Sequence, residues 1–265
     1  MENFKFKKSL GQNFLNDSNV IHKIVESAEI DKNTLVIEIG PGGGAITRLM
    51  VPKAGECILY EADGRLEDNL NELLRENDNY IIKIGDFLKA DVSKDISGKK
   101  YEKLYVVANL PYYITTPIIM KFVEEGVLPD KFVIMVQKEV AYRLSAQVGT
   151  KDYGSLTVFL NYYYDIRRLF DVSRNCFTPK PNVDSAIVEM KLKENRLAVV
   201  DLELFNRLVR DSFSYKRKTI RNNLRDYDLT VVENVLGKYG FDLSVRAENL
   251  ELEIFVEMSN KLAKK

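Results

Sequence analysis

Histidine occurs once in the 265 residues and cysteine twice. The single histidine, His22, sits in a helical stretch and reads as a solvated or cap-adjacent side chain, not as a catalytic base. Cys57 and Cys176 form no cluster with metal-ligand spacing, which excludes a zinc framework and a disulfide scaffold and fits reduced thiols in a cytoplasmic protein. Glu26, Glu29 and Asp31 lack the spacing of a metal site, so no metal is expected. No apolar run approaches the roughly 20 residues that a bilayer-spanning helix needs. The lysines of Met1 to Lys8 are followed by no apolar stretch, so no secretory signal is read. An excess of charge of one sign is also missing, with 39 Lys+Arg against 39 Asp+Glu. That excludes a uniformly basic surface, yet what RNA needs is a local patch. Two groups are candidates: Lys5, Lys7 and Lys8, and then Lys216, Arg217, Lys218, Arg221 and Arg225, with no acid between Asp211 and Asp226. Charge alone does not separate an RNA contact from a solvated face.

What is present is an ordinary globular composition, 45% hydrophobic and 29% charged, long enough for an α/β domain and a smaller partner. A polar arm, residues 1–16, precedes a helix whose N-cap is Asp17 or Ser18 and whose apolar face is Val20, Ile21, Ile24, Val25 and Ala28. Thr34–Ile39 reads as a buried strand, ended by Gly40-Pro41-Gly42-Gly43-Gly44, and Ala45 to Lys53 as helical. Further strands are expected at Glu56–Tyr60, Tyr80–Ile84, Lys103–Ala108 and Phe132–Val136, with helices between. That alternation predicts βαβ units and a doubly wound, Rossmann-like parallel sheet. Ile166–Val172 and Ala186–Leu192 suggest strands that close the sheet with an antiparallel edge. Tyr162, Tyr163 and Tyr164 are consecutive, hence part core and part surface rather than one stacking platform. After a linker at Lys193–Val200, segments near 202–213, 216–225, 230–239 and 251–263 read as short amphipathic helices. The expected division is therefore an α/β domain over 1–192 and an all-helical C-terminal domain over 193–265. A helix through 216–225 would carry Arg217, Arg221 and Arg225 on one face.

Glu38-Ile39-Gly40-Pro41-Gly42-Gly43-Gly44 fits E-x-G-x-G-x-G at the end of the first sheet strand, where open α/β sheets bind ligands. Gly40, Gly42 and Ala45 equally satisfy the dinucleotide pattern G-x-G-x-x-A, and a ligand-free glycine turn is a third reading. Glu61 follows the next strand about twenty residues on, as an acid that binds ribose hydroxyls does. Asp86, in Gly85-Asp86-Phe87, ends the third strand, where a carboxylate can accept a hydrogen bond from an adenine amine. Singly each acid is an ordinary loop residue, but together beside a glycine loop they favour S-adenosylmethionine.

Asn109-Leu110-Pro111-Tyr112 follows the fourth strand. An adenine amine is a poor nucleophile because its lone pair is delocalised into the ring. A side-chain amide oxygen and a backbone carbonyl that accept its two N–H groups favour a tetrahedral nitrogen with an available lone pair. Pro111 stiffens such a loop, and Tyr112 offers a face for the base. Catalysis is then positioning plus polar stabilisation. The alternative is a plain strand-to-helix turn, in which Asn and Pro are common.

The sequence resembles the ribosomal RNA adenine dimethyltransferase family, in its small-subunit type, over nearly the whole chain. The matching blocks are Lys8-Ser9-Leu10-Gly11-Gln12-Asn13-Phe14-Leu15, Glu38–Gly44, Asn109–Pro117, Gln137–Ala141, Phe177–Ala186, Arg217–Asn222 and Arg246–Asn249. The resemblance implies that Asn13 and Leu15 close over S-adenosylmethionine together with Gly40, Glu61, Asp86 and Asn109. It implies that Asn109 to Tyr112 hold the target amine, and that Phe177 is the second aromatic sandwiching a flipped base. It implies dimethylation of two neighbouring adenines in the terminal hairpin loop of small-subunit rRNA by a cytoplasmic monomer acting on the pre-30S particle. Unpaired loop bases can be splayed out and stacked. Ala62 between Glu61 and Asp63, and Gly43-Gly44-Ala45, depart from the family's usual residues without removing a cofactor-contacting position. The competing readings are an Erm-type enzyme of the large subunit, which the Phe177–Ala186 and Arg217–Asn222 blocks disfavour, a non-catalytic ribosome-assembly factor, and an NAD-dependent oxidoreductase, for which no hydride-transfer acid is visible.

Overall fold

The structure, a computed structural model, describes residues 12–264. In chain order the elements are β1 (Phe14–Leu15), α1 (Ser18–Ala28), β2 (Thr34–Ile39), α2 (Thr47–Met50), β3 (Glu56–Glu61), α3 (Glu67–Leu73), β4 (Tyr80–Ile84), α4 (Val92–Ile96), β5 (Lys103–Asn109) and α5 (Thr115–Glu124). There follow β6 (Lys131–Gln137), α6 (Lys138–Leu144), α7 (Ser155–Tyr163), β7 (Tyr164–Val172), β8 (Phe177–Thr178), β9 (Ser185–Leu192), α8 (Leu202–Ser212), α9 (Ile220–Asn223), α10 (Leu229–Lys238) and α11 (Leu252–Leu262). No helix among the described residues is long and apolar enough to cross a membrane.

Seven strands form one sheet in the order β4-β3-β2-β5-β6-β9-β7. β2 pairs in parallel with both β3 and β5, so the strand order reverses beside β2. That reversal opens a crevice at the carboxyl ends of the strands. β2 and β6 are nearly continuous apolar runs because both faces of a parallel sheet are covered, and all six residues of β2 are buried. β9 runs antiparallel to β6, as the apolar stretch at 186–192 suggested. α1 begins at Asp17, whose carboxylate caps the Val20 N–H, and buries Ile21, Ile24, Val25 and Ala28. Ile21, Val36, Met50, Val107, Val133 and Ile187 belong to a common apolar cluster. Helix α2 spans fewer residues than the stretch expected at 45–53.

The chain divides into two compact units, residues 1–141 with 167–192, and residues 142–166 with 193–265. The boundary expected at 192/193 is thus only part of the division, because residues 142–166 join the second unit. The reason lies in α7 and the segment before it. Tyr153 and Val158 are buried with Phe205, Leu208, Leu236 and Phe255, and the Tyr153 hydroxyl donates to the Leu250 carbonyl at 3.1 Å. Tyr163 and Tyr164 are buried while Tyr162 is partly exposed.

The helix expected over 216–225 is replaced by a turn and the short α9. The backbone N–H groups of Ile220 and Arg221 donate to the carbonyls of Val245 and Leu243, at 2.8 and 3.0 Å. A longer helix would direct the same donors to Lys216 and Arg217. Arg217 and Lys218 therefore precede α9 and Arg225 follows it, so helical periodicity does not put Arg217, Arg221 and Arg225 on one face.

Candidate active site

A cavity of about 570 Å³ lies at the carboxyl ends of β2, β3, β4 and β5. That is within the range of roughly 300–1,000 Å³ typical of small-molecule sites. Its wall includes Asn13, Leu15, Gly40, Glu61, Asp86 and the loop Asn109, Leu110, Pro111 and Tyr112. All the expected cofactor and catalytic residues except Phe177 meet there.

The glycine loop is shaped by its neighbours. Gly42 has φ +57° and Gly44 φ +75°, a backbone region that L side chains rarely adopt. A β-carbon on Gly42 would lie 3.0 Å from Phe14 Cε1, and one on Gly44 would collide with the Leu73 side chain at 2.2 Å. The carboxylate of Glu61 holds this loop. Its Oε2 accepts the Gly42 N–H at 2.9 Å and its Oε1 accepts the Asp63 N–H at 2.8 Å. Burial pushes the Glu61 carboxyl up, opposed by the hydrogen bonds from Asp63 and Gly42. Ala62 adds a further backbone hydrogen bond, and a carboxylate's roughly four acceptor sites leave room for another donor. Asp86 is exposed and caps the turn after β4 by accepting the Leu88 N–H at 3.0 Å.

Glu38 was not singled out by the sequence beyond its place in the motif. It is 1% exposed and lines the cavity. Thr47 Oγ1 donates to its Oε2 at 2.7 Å. Burial, with the nearby Glu61 charge adding, moves its carboxyl up to about 8.

Asn109 ends β5. Its Nδ2 donates to the Asn13 carbonyl at 3.1 Å, which leaves Oδ1 as the acceptor of this amide. The Leu110 side chain is buried, and its N–H donates to the Met135 carbonyl at 3.2 Å. The Pro111 carbonyl accepts from Ile114 N and Thr115 Oγ1, at 3.1 and 3.3 Å. Tyr112 is partly buried, its hydroxyl lies 2.6 Å from Ser185 Oγ, and burial raises its phenol.

The segment Gln12–Asn16 is fixed across the first unit. Gln12 Nε2 donates to Asp63 Oδ2 at 2.9 Å, β1 pairs antiparallel with β8, and Asn16 Nδ2 donates to Thr178 Oγ1 at 2.7 Å. This pairing also places Phe177. Its register partner is Leu15, it is 4% exposed, and it packs in the apolar cluster instead of lining the cavity. The cavity's aromatic lining includes Phe14, Phe87, Tyr112 and Tyr113, the last of them 59% exposed. Phe14 and Gln12 carried no role in the sequence beyond membership of the Lys8–Leu15 block. The basic residues Lys5, Lys7 and Lys8, and the first part of that block, lie outside the described residues.

In the second unit Lys216, Arg217, Lys218, Arg221 and Arg225 are all exposed. Lys216 Nζ donates to the Lys151 carbonyl at 2.9 Å, and Arg225 approaches Asp226 at 3.8 Å. His22 is exposed and accompanies Ser18, consistent with a cap-adjacent side chain.

Sheet order, glycine loop and Asn-Leu-Pro-Tyr loop together define a Rossmann-like, S-adenosylmethionine-dependent type of methyltransferase. The chain belongs to the ribosomal RNA adenine dimethylase family, whose model matches residues 3–264. It is 46% identical to the ribosomal RNA small subunit methyltransferase A of Streptococcus gordonii, over 98% of this chain and 92% of that one. The protein of the same name from Streptococcus pneumoniae is 45% identical with the same coverage. Among solved structures, a dimethyladenosine transferase from Plasmodium falciparum superposes with a TM-score of 0.79 at 26% identity, covering 95% of this chain and 98% of that one. The 23S rRNA methyltransferase ErmE gives 0.77 at 28% identity, covering 95% and 100%. With the family, the chain is an enzyme, and the reading as a ligand-free fold or an oxidoreductase falls away.

Proposed function

We propose that this enzyme dimethylates the exocyclic amines of two adjacent adenines in the 3'-terminal hairpin loop of small-subunit rRNA, with S-adenosylmethionine as the methyl donor. The observation that carries the reading is the amide of Asn109. With Nδ2 committed to the Asn13 carbonyl, Oδ1 is the acceptor for one N–H of the adenine amine. The Pro111 carbonyl already accepts from Ile114 and Thr115, and in this reading the Leu110 carbonyl takes the second acceptor role. Two acceptors draw the amine toward tetrahedral geometry and free its lone pair, so no strong general base is needed. Tyr112 supplies the stacking face that keeps the base out of its loop.

S-adenosylmethionine supplies an electrophilic methyl group when bound. The donor set fits it. A buried carboxylate, Glu61, keeps acceptor capacity for ribose hydroxyls, Asp86 is exposed at the cavity for an adenine amine, and Gly40 to Gly44 bring backbone close. Asn13 and Leu15 cover the site from the N-terminal side. The exposed basic residues Lys216, Arg217, Lys218, Arg221 and Arg225 contact rRNA phosphates in this reading, and the helical C-terminal part of the chain serves as an rRNA-contacting domain. The enzyme acts as a cytoplasmic monomer on an assembling small subunit. The names of the relatives support the small-subunit substrate.

The test is to incubate purified, unmodified small and large subunits with labelled cofactor and to map the modified base. Label in the terminal hairpin of the small subunit is expected. Label confined to a large-subunit adenine would transfer the assignment to the Erm-type reaction, and no label on either would favour an assembly factor.

A further inference from the structure

Ser185 opens β9 and is fully buried, at 0% exposure. Its register partner in β6 is Gln137. Two residues back along β6, Met135 pairs with Asn109 at the end of β5. The antiparallel strand thus delivers Ser185 to the end of the sheet from which the Asn109–Tyr112 loop departs. Its backbone is held by the ladder to β6 and by the Lys138 N–H donating to the Asp184 carbonyl at 3.0 Å.

Ser185 Oγ lies 2.6 Å from the Tyr112 hydroxyl, and either can donate. A buried hydroxyl needs a partner, and so does the polar tip of a partly buried phenol. Here each satisfies the other, across 73 residues of chain. The Tyr112 ring otherwise hangs from a short 3-10 turn, Tyr112–Ile114. A ring tethered at both its α-carbon and its hydroxyl has far less freedom than one tethered at the α-carbon alone.

We infer that Ser185 is a positioning residue for methyl transfer, holding the Tyr112 ring in the one orientation that presents its face to the target base. The inference rests on the reading of Tyr112 as the stacking platform given under Proposed function. It differs from a purely structural role in what it expects. A serine that only satisfied the core would, when removed, lower stability and leave the rate per folded molecule alone. A positioning serine acts on the rate with bound substrate, because misorientation of a reacting group is a kinetic loss.

The experiment is single-turnover methylation of unmodified small subunits at saturating cofactor and enzyme, with Ser185→Ala, Ser185→Thr, Tyr112→Phe, the Ser185→Ala/Tyr112→Phe double variant and Tyr112→Ala. Loss of one neutral hydrogen bond corresponds to about a three- to tenfold fall. Ser185→Ala and Tyr112→Phe are each expected to lose that much rate, the double variant no more than either single one, and Ser185→Thr to recover toward wild type. For Ser185→Ala, Ser185→Thr and Tyr112→Phe, subunit and cofactor affinities stay within about twofold, since the phosphate-binding residues, the glycine loop and the aromatic ring are retained. If Ser185→Ala does not fold, Tyr112→Phe decides, because it deletes the same bond with no cavity in β9. Near-wild-type rates for Ser185→Ala and Tyr112→Phe beside a strongly impaired Tyr112→Ala overturn the role of Ser185 and leave the platform standing. A near-wild-type Tyr112→Ala overturns the platform and the inference together.

Discussion

The amide nitrogen of Asn109 and the backbone carbonyl of Asn13 are 3.1 Å apart, a hydrogen bond that spans 96 residues. It ties the end of β5 to the segment that enters β1. Because an amide nitrogen only donates and its oxygen only accepts, the bond to Asn13 fixes which way round the group sits. The oxygen is the atom that an adenine N–H requires.

Asn109→Ala is expected to lose about 10²–10³-fold in single-turnover rate, the loss seen for removal of one preorganised polar group. RNA binding should persist, since an interaction realised mainly in the transition state lowers turnover more than affinity. Asn109→Asp is the sharper variant. Its carboxylate has no N–H for the Asn13 carbonyl and sets two oxygens side by side, so it should lose rate despite keeping an acceptor. A near-wild-type rate for Asn109→Ala would reduce the loop to a structural turn.

Much of this architecture was legible in the sequence because apolar periodicity and glycine chemistry are local. Thr34–Ile39 and Tyr80–Ile84 are the strands observed, and Asp17 caps α1 as its side chain allows. The failures share a different cause, which is pairing between distant segments. The helix at 216–225 was broken by Val245 and Leu243 taking the N–H groups of Ile220 and Arg221. Residues 142–166 joined the second unit through burial of Tyr153 and Val158. Ser185 had no signal of its own, because a serine in an apolar strand reveals its role only when Tyr112 arrives opposite it.

Glu61 supports both the loop and, in the proposed function, the ribose. Glu61→Ala should weaken S-adenosylmethionine binding by roughly 1.5–3 kcal/mol, the usual worth of a charged hydrogen-bond partner. It also strands the Gly42 and Asp63 N–H groups, so a fall in melting temperature should accompany the weaker binding. NAD should show no measurable binding to either protein. Calorimetry on wild type and variant decides, and equal affinities for S-adenosylmethionine would remove Glu61 from the site.

The buried carboxyl of Glu38 makes stability depend on pH. Its ordinary value is 4.5 and burial raises it to about 8 in the folded protein. Between those values the folded protein keeps a proton that the unfolded chain has released. Raising the pH through this window therefore favours unfolding, by up to about 1.4 kcal/mol per pH unit. Glu61, raised in the same direction, adds to the trend. The wild-type melting temperature should fall as the pH is taken from about 6 to about 8.5, and Glu38→Gln, which has no proton to release, should show a flatter profile. Parallel profiles for the two proteins would show that Glu38 is ionised in the folded state.

The basic residues before and after α9 make the last prediction, and the turn geometry changes its form. Were Arg217, Arg221 and Arg225 a single helical face, removing any one would weaken a shared grip on one stretch of backbone. Instead Arg217 and Lys218 sit in the turn that precedes α9, Arg221 lies within it, and Arg225 follows beside Asp226. Arg225 is already near an acid, which offsets part of its attraction for phosphate. Arg217→Ala/Lys218→Ala should therefore reduce the salt dependence of small-subunit binding by about one unit of slope for each phosphate that is no longer neutralised. Arg225→Ala should change it less. Neither variant should alter S-adenosylmethionine affinity, since every residue lining the cavity belongs to the other unit. The measurement is subunit affinity at several salt concentrations for wild type and each variant. A double variant that keeps the wild-type slope would show these side chains to be a solvated face, and the RNA-binding surface would have to be sought elsewhere on the protein.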